Sequence, residues 1–255
     1  MPSLILSGCN GRMGRTLEAM CADRPELEIA AGFDVLGPTD RPFPVYADPN
    51  GYAGPADVAV DFSHPAALTP LLDYCVRREL PVVLATTGYS DAQLLEIQRA
   101  AGRIPVFRSA NFSLGVNLLL DLVKRAAAVL GSDFDVEIVE RHHSKKVDAP
   151  SGTALLLAQA ATEALPYQPE FVYDRHDVRK IRDRQEIGIS SVRGGTIAGD
   201  HEVLFAGREE VIELRHSAQS REVFAAGALR AAQFLAGKSG PGMWSMSDLV
   251  AEAGL

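Results

Sequence analysis

Along the first 110 positions, apolar residues come in short runs separated by helix-like stretches. Leu4 to Ser7 is one such run, closed by Gly8, and an amphipathic segment follows from Arg12 to about Arg24. Further apolar runs at Leu27 to Phe33, Asp57 to Phe62, Pro81 to Ala85 and Pro105 to Arg108 are separated by helical patterns around Ala66 to Arg78 and Asp91 to Ala101. Strand and helix in alternation predict a parallel sheet covered by helices on both faces. After about Asn111 the pattern changes. The amphipathic stretch Leu114 to Leu130 leads to a run from Phe134 to Glu140, a polar loop, and a helix from Ser151 to about Ala164. Past Pro169, the runs Ile187 to Val192, Glu202 to Ala206 and Val211 to His216 alternate with period two, as strands do in an open mixed sheet with one buried face. Glu222 to Leu235 reads as helix again and is expected to carry the chain back to the first domain.

The predicted fold is α/β. A Rossmann-like doubly wound parallel sheet spans 1–112 and is completed by 222–255 as a dinucleotide-binding domain. A second α+β domain on an open mixed sheet, 113–221, is expected to bind substrate and to mediate oligomerisation. Neither an internal repeat nor a low-complexity segment interrupts the pattern.

Composition narrows the function. At 255 residues and 47% hydrophobic, the chain can bury a full core. Its net charge of −8 argues against nucleic acid or anionic membrane as a partner, since both need a broad basic face. The apolar stretch LGVNLLLDLV is interrupted by Asn117 and Asp121, and the N-terminus lacks a basic region, so neither a membrane span nor a signal peptide is expected. Cys9, Cys21 and Cys75 form no CxxC pair, and their odd number fits a reduced, cytoplasmic compartment.

The segment from Gly8 to Gly14, GCNGRMG, lies between the first strand and first helix, where main-chain N–H groups and the helix dipole can hold a pyrophosphate. Its spacing is GxxGxxG rather than GxGxxG, and Asn10 suits a left-handed backbone conformation. Asp34 follows the second strand, 20 residues after Gly14, where a carboxylate accepts hydrogen bonds from an adenosine ribose and repels a 2′-phosphate. NADH is therefore favoured over NADPH, with Arg12 and Arg41 the cations that could offset the repulsion. Thr86, Thr87 and Gly88 follow a buried strand and are candidates to hydrogen-bond the nicotinamide ribose or carboxamide. By themselves these residues also fit ordinary tight turns.

The loop ERHHSKKVDAPSGTA, from Glu140 to Ala154, concentrates positive charge in an acidic chain. Ser151 after Pro150 is a good N-cap, which should leave the N–H groups of Gly152, Thr153 and Ala154 directed into the loop as a cradle for a carboxylate. Upstream, a histidine can deliver a proton near neutrality and a lysine can neutralise charge on a substrate that has accepted hydride. His142 and His143 should point to opposite faces. Adjacent histidines without HExxH spacing or nearby cysteines do not read as a metal site.

This loop resembles the signature of the 4-hydroxy-tetrahydrodipicolinate (dihydrodipicolinate) reductase family of lysine and diaminopimelate biosynthesis. GCNGRMGR, DFSHP, ATTGY, SANFSLGVN and SVRGGTIAGDHEVLF follow in that family's order, so the likeness covers essentially the whole chain. The resemblance implies an NADH- or NADPH-dependent reductase that removes water from a small dicarboxylate substrate and reduces its ring. It implies His142 as proton donor, Lys146 as second catalytic donor, and His143, Gly152 and Thr153 as substrate-carboxylate contacts. Implied cofactor contacts are Gly8, Cys9, Asn10, Gly11, Arg12, Met13, Asp34, Ala85, Thr86, Thr87, Ser109, Ala110, Asn111 and Phe112. A homotetramer built through the second domain's sheet is also implied. Asn111 to Ser113 is the expected hinge between the domains. Ala85 replaces a frequent glycine of the family, and Ser63-His64 a frequent threonine-arginine. The alternatives are a related amino-acid dehydrogenase acting on aspartate or diaminopimelate, and a catalytically silent cofactor-binding regulator.

Overall fold

A computed structural model describes residues 2–253 and divides them into two compact units, 2–113 with 222–253, and 114–221. In chain order the first unit opens with β1 (Ser3–Ser7), α1 (Arg12–Ala22), β2 (Glu28–Phe33), β3 (Val45–Tyr46), β4 (Val58–Asp61), α2 (Leu68–Arg77), β5 (Val82–Leu84), α3 (Asp91–Ala101) and β6 (Pro105–Arg108). The second unit holds α4 (Leu114–Leu130), β7 (Asp135–His142), α5 (Gly152–Thr162), β8 (Glu170–Val172), β9 (Glu186–Arg193), β10 (Gly199–Ala206) and β11 (Val211–Ala218). The chain then returns to the first unit with α6 (Glu222–Ala236), β12 (Gly242–Trp244) and α7 (Met246–Glu252).

In the first unit seven parallel strands lie in the order β12-β6-β5-β4-β1-β2-β3. The sheet is parallel throughout, as the alternation predicts. Its central strands read as continuous apolar runs because both faces are covered: Leu4, Ile5, Leu6, Val58, Ala59, Val60, Val82 and Val83 are fully buried. The strand order reverses at β1, so the crevice beyond the carboxyl ends of β1 and β4 is the place where such sheets bind ligands. α6 packs on β4, β5, β6 and α1 through small residues, and a Cβ on its Gly227 would lie 1.6 Å from the Phe112 carbonyl oxygen. Among the short elements, β3, β8, β12 and α7 are found without a preceding sequence signal. Two- and three-residue strands carry too few positions for a period to register.

In the second unit the strand order is β11-β10-β7-β9-β8, antiparallel on the β10 side and parallel on the β9 side. β7, with sequence DVEIVERH, alternates strictly, and Val136, Ile138, Glu140 and His142 all face inward. Strand register sorts that inner face into rows. Val136 pairs with Ile187 and Phe205, and Ile138 with Ile189 and Val203, beneath Leu119, Val123, Leu157 and Ala158 of the helices. The next row is polar: Glu140 opposite Ser191 on one side and His201 on the other, with His216 beyond. His142 sits opposite Arg193 in the last row. The strand ends two residues later than the apolar run suggests, because the inward alternation continues in polar residues. On the outer face Arg141 pairs with Glu202, and Arg215 with Asp200, as suits a solvated side.

No helix among the described residues is long and apolar enough to cross a membrane.

Candidate active site

The residues expected to hold the cofactor follow the carboxyl ends of β1, β2, β4, β5 and β6. Gly8 follows β1 with φ +77°, and a Cβ there would lie 2.8 Å from the Phe62 carbonyl oxygen and the Ser63 Cα. Gly8 thus supplies the left-handed residue of the turn. Among the described non-glycine residues only Glu79 has a positive φ, so the left-handed role expected of Asn10 is not found. Asn10 instead ties the turn down: its N–H donates to Asp34 Oδ2 (3.0 Å), its Nδ2 to the Gly37 carbonyl (3.3 Å), and its Oδ1 accepts from the Thr39 hydroxyl (2.8 Å). Gly11 is the N-cap of α1, and Gly14 lets the helix approach, since a Cβ would come 2.4 Å from the Gly8 carbonyl oxygen. The N–H groups of Gly8, Asn10 and Gly11 are taken by Phe33, Asp34 and Gly8, so the donors that suit a pyrophosphate are those that open the 11-residue helix α1. Cys9 is fully buried against Gly32, which closes its side chain to a ligand. Burial, with Asp34 adding to it, pushes its thiol up to about 11. Arg12 is exposed and Met13 half-buried beside it.

Asp34 stands beyond β2 with Oδ2 on the Asn10 N–H and Oδ1 on the Leu36 N–H (3.0 Å). It helps to line a cavity of about 490 Å³ together with Gly8, Gly11, Val35, Ser63 and His64. Ala47, Pro49, Ala66 and Pro70 give this cavity apolar walls suited to a flat base. No motif announces them, because Ala47 and Pro49 follow β3, Ala66 precedes α2 and Pro70 lies in its first turn. Arg41 turns away from any phosphate role: its guanidinium is paired with Glu18 and donates to the Cys9 carbonyl (3.1 Å).

The loops after β4 and β5 meet on one buried carboxylate. Asp61 accepts from the hydroxyls of Ser63 (2.5 Å), Thr86 (2.7 Å) and Tyr89 (3.3 Å) and from the Ser63 N–H (3.2 Å). Thr86, expected to donate to the nicotinamide end of a cofactor, donates its hydroxyl to Asp61 instead, because a carboxylate so buried needs every donor in reach. The Ala85 N–H is likewise held, by the Asp61 carbonyl (2.9 Å), whereas Thr87 remains exposed. Beyond β6, Ser109 and Asn111 are half-buried and Ala110 exposed, and the Asn111 side chain accepts from the Ser113 N–H (2.8 Å). Phe112 is buried against Phe107 and Phe62 at centroid distances of 5.9 and 6.4 Å, so its ring belongs to the core.

In the second unit the residues of the charged loop sort by face. His142 is buried, and its Nδ1 lies 2.6 Å from Glu140 Oε2. His143, pointing the other way, brings Nε2 to 3.5 Å from the Arg221 guanidinium. Lys145 is exposed, while Lys146 is partly buried with Nζ 2.7 Å from both oxygens of Asp148. α5 starts as its cap predicts, with Ser151 Oγ accepting from the Ala154 N–H (3.1 Å). Ala154 is thus withdrawn from the predicted anion cradle, since the cap itself consumes that donor. At Gly152 a Cβ would meet nothing within 4 Å, so the space above this helix start is open.

Sequence reasoning missed three residues here. Glu140 is fully buried and bridges Arg193 and the Ser151 N–H as well as His142. Burial alone would raise its pKa, but hydrogen bonds from Arg193, His142 and Ser191 outweigh that and hold it at about 2. His201 packs edge-on to His142 at 5.2 Å, with Nε2 2.8 Å from Ser151 Oγ. Burial, reinforced by the neighbouring His142, pushes it down to about 4. Strict alternation along β7 was the available signal for Glu140. For Arg193 and His201 nothing short of strand register would have served.

Two family models divide the chain between them: "Dihydrodipicolinate reductase, N-terminus" matches residues 2–112, and "Dihydrodipicolinate reductase, C-terminus" residues 115–250. A 4-hydroxy-tetrahydrodipicolinate reductase of Caldanaerobacter subterraneus subsp. tengcongensis is 51% identical over 251 residues, 98% of each chain. Among solved structures, a dipicolinate-bound dihydrodipicolinate reductase from Paenisporosarcina sp. TG-14 superposes with TM-score 0.80 at 24% identity, over 96% of this chain and 97% of the other. The DAP dehydrogenase of C. glutamicum, in complex with DAP, gives TM-score 0.53 at 14% identity over 97% and 93%. At such identities these two superpositions speak to fold alone.

Proposed function

Because the chain belongs to the dihydrodipicolinate reductase family, we propose that it reduces 4-hydroxy-tetrahydrodipicolinate to tetrahydrodipicolinate, with loss of water, in lysine and diaminopimelate biosynthesis. The reductant is NADH or NADPH, which when bound supplies a hydride. The N–H groups at the start of α1 hold the pyrophosphate, with side-chain-free Gly8 and Gly11 leaving room for its approach, and Asp34 takes the adenosine ribose at the mouth of its cavity. NADH is the preferred form. Asp34 repels a 2′-phosphate, Arg41 is consumed by Glu18, and exposed Arg12 is the remaining cation of the turn.

The second unit binds the dicarboxylate and supplies the proton. One substrate carboxylate lies above the start of α5 at Gly152 and Thr153, with His143 and Lys146 completing a positive rim. Addition of hydride leaves negative charge on the ring, which His142 quenches by proton transfer from Nε2 while Nδ1 stays on Glu140. Lys146 stabilises the charge as it develops. The observation that carries this reading is the placement of His142 on a buried carboxylate that also holds the first residue of the carboxylate-binding turn, Ser151. We further assign the open outer face of the second unit's sheet to self-association as a homotetramer, testable by light scattering.

The test is a coupled assay. The condensation product of pyruvate and aspartate semialdehyde is supplied, and nicotinamide absorbance is followed with each cofactor. Turnover that depends on the dicarboxylate, with the lower KM for NADH and a reduced preference in Asp34→Ala, is expected. Absence of turnover with either cofactor would defeat the reading.

A further inference from the structure

We propose that Glu140 and Arg193 are positioning residues for His142, fixing which of its ring nitrogens carries the transferable proton. The inference rests on the reading of His142 as proton donor and extends it to two side chains that do not themselves reach the substrate.

Every direction around the Glu140 carboxylate is filled from within the protein. Oε2 accepts from Arg193 Nη1 (2.8 Å) and faces His142 Nδ1 (2.6 Å), and Oε1 accepts from Arg193 Nη2 (2.7 Å) and the Ser151 N–H (3.1 Å). With the side chain fully buried, no lone pair is left for a ligand. Packing does not call for an ion at this point. One row deeper on the same inner face the corresponding positions are Ile138, Ile189 and Val203, and an aliphatic row fills the space beneath the helices without any desolvation cost. The carboxylate is therefore explained by what it touches.

An ionised carboxylate only accepts, so the proton between Glu140 and His142 sits on Nδ1, and Nε2 becomes the position that gives and receives. The surroundings of Nε2 are consistent with this. A Cβ on Gly199 would come 3.0 Å from Nε2, so a glycine there keeps that edge of the ring clear. Of the two edge-to-face imidazoles, only His142 faces a carboxylate, whereas His201 faces the Ser151 hydroxyl. The charged and titratable groups around the ring are thus Glu140 on its own strand, Arg193 on β9 and His201 on β10. Arg193 extends the network further, because its Nη2 also donates to the Asp148 carbonyl (2.6 Å) in the loop that carries Lys146. A single guanidinium–carboxylate pair thereby references the proton donor, the start of α5 and the lysine loop to one another.

Glu140→Gln separates positioning from packing. Glutamine keeps an oxygen for Arg193 and Ser151 and can turn an amide N–H₂ towards His142, which favours the opposite tautomer. In the full-length protein, kcat for the dicarboxylate is expected to fall by about 10- to 100-fold, with KM within about threefold of wild type. The second readout needs no substrate. In ¹⁵N-histidine spectra of the wild-type protein, with the ring assigned by its loss in His142→Gln, neutral His142 is expected to carry its proton on Nδ1, hydrogen-bonded. In Glu140→Gln it should move to Nε2. A wild-type ring protonated on Nε2, or a Glu140→Gln protein whose kcat is unchanged or whose loss lies in KM, overturns the proposal. If the dicarboxylate is not reduced at all, the functional reading fails on the assay, and the ring spectrum still decides this one.

Discussion

At the carboxyl ends of β1 and β2 the proposed pyrophosphate site is mostly main chain, the N–H groups that open α1. Gly8, Gly11 and Gly14 strip side chains away, and the nearby Asn10, Arg41, Thr86 and Asp61 are spent on holding loops in place. At the ends of β7 and β9 the position is reversed: side chains in adjacent register rows, with Glu140, Arg193 and His201 around His142, build the proposed proton-transfer site, and the backbone contributes one helix start. The chemistry required of each place accounts for the difference. A pyrophosphate needs many identical donors at close range, which a turn of bare amides provides whatever its remaining side chains are. Proton transfer needs one atom in one protonation state, which only a side chain with a fixed partner can give. It follows that the two sites should fail differently when altered.

The largest expected loss falls on the side-chain site. His142→Gln and Lys146→Ala should each lower kcat by about 10²- to 10⁴-fold, the usual span for removing a positioned acid or charge stabiliser. NADH affinity, measured by fluorescence titration, should stay within about twofold, because neither residue belongs to the main-chain cradle. Near-normal kcat in both variants would remove them from the chemistry.

Gly8→Ala tests the other side of the comparison. A Cβ would be placed at φ +77° and 2.8 Å from two backbone atoms that cannot yield. The cost should be about 3 kcal/mol of stability or more, read as a lowered denaturant midpoint. In protein that still folds, NADH binding should weaken by at least about tenfold while the ring tautomer of His142 is unchanged.

This contrast also accounts for what could be read from the sequence. The parallel sheet was legible because its βα alternation is local, and the glycine turn because three glycines at fixed spacing report a backbone requirement directly. The capped start of α5 was legible from Pro150, Ser151 and Gly152 for the same reason. What escaped was any relation between distant segments. Arg193 lies 53 residues from Glu140 along the chain and His201 lies 50 from Ser151, so only the pairing of β7 with β9 and β10 brings them together. The turn was mis-assigned in one respect for a related reason: Asn10 was free to be left-handed by type, but Asp34, Gly37 and Thr39 claim it from the far side of β2.

A smaller effect should appear in stability against pH. His201 is held at about 4 in the folded protein, against 6.5 for a free imidazole. Below pH 6.5 the unfolded chain takes up a proton that the folded chain refuses until near pH 4, so stability is lost as pH falls through that window. Between pH 7 and pH 5 this amounts to about 2 kcal/mol. His201→Gln, which can still hydrogen-bond Ser151, should lack that part of the slope. Glu140, held at about 2, contributes stability that is lost only below about pH 4.5 in both proteins, so it does not confuse the comparison. Parallel urea midpoints for the two proteins across pH 5–7 would exclude this account of His201.

The smallest effect concerns Lys146, whose proposed catalytic ammonium is occupied by a competitor. Lys146 holds both oxygens of Asp148 at 2.7 Å, yet the Asp148 side chain is 61% exposed, so the pair is screened by water and worth at most about 1 kcal/mol. A substrate carboxylate arriving at Lys146 has to displace Asp148. Asp148→Asn should therefore lower KM for the dicarboxylate by up to about fivefold. Arg193 grips the Asp148 main-chain carbonyl rather than its carboxylate, so the loop keeps its place in the variant and kcat should not change. Because the wild-type pair weakens with salt, the gap in KM between the two proteins should narrow as ionic strength rises. A gap that persists in high salt would mean that Asp148 acts through loop shape rather than by competing for the lysine, and Lys146 would then have to be grouped with the residues whose value is structural.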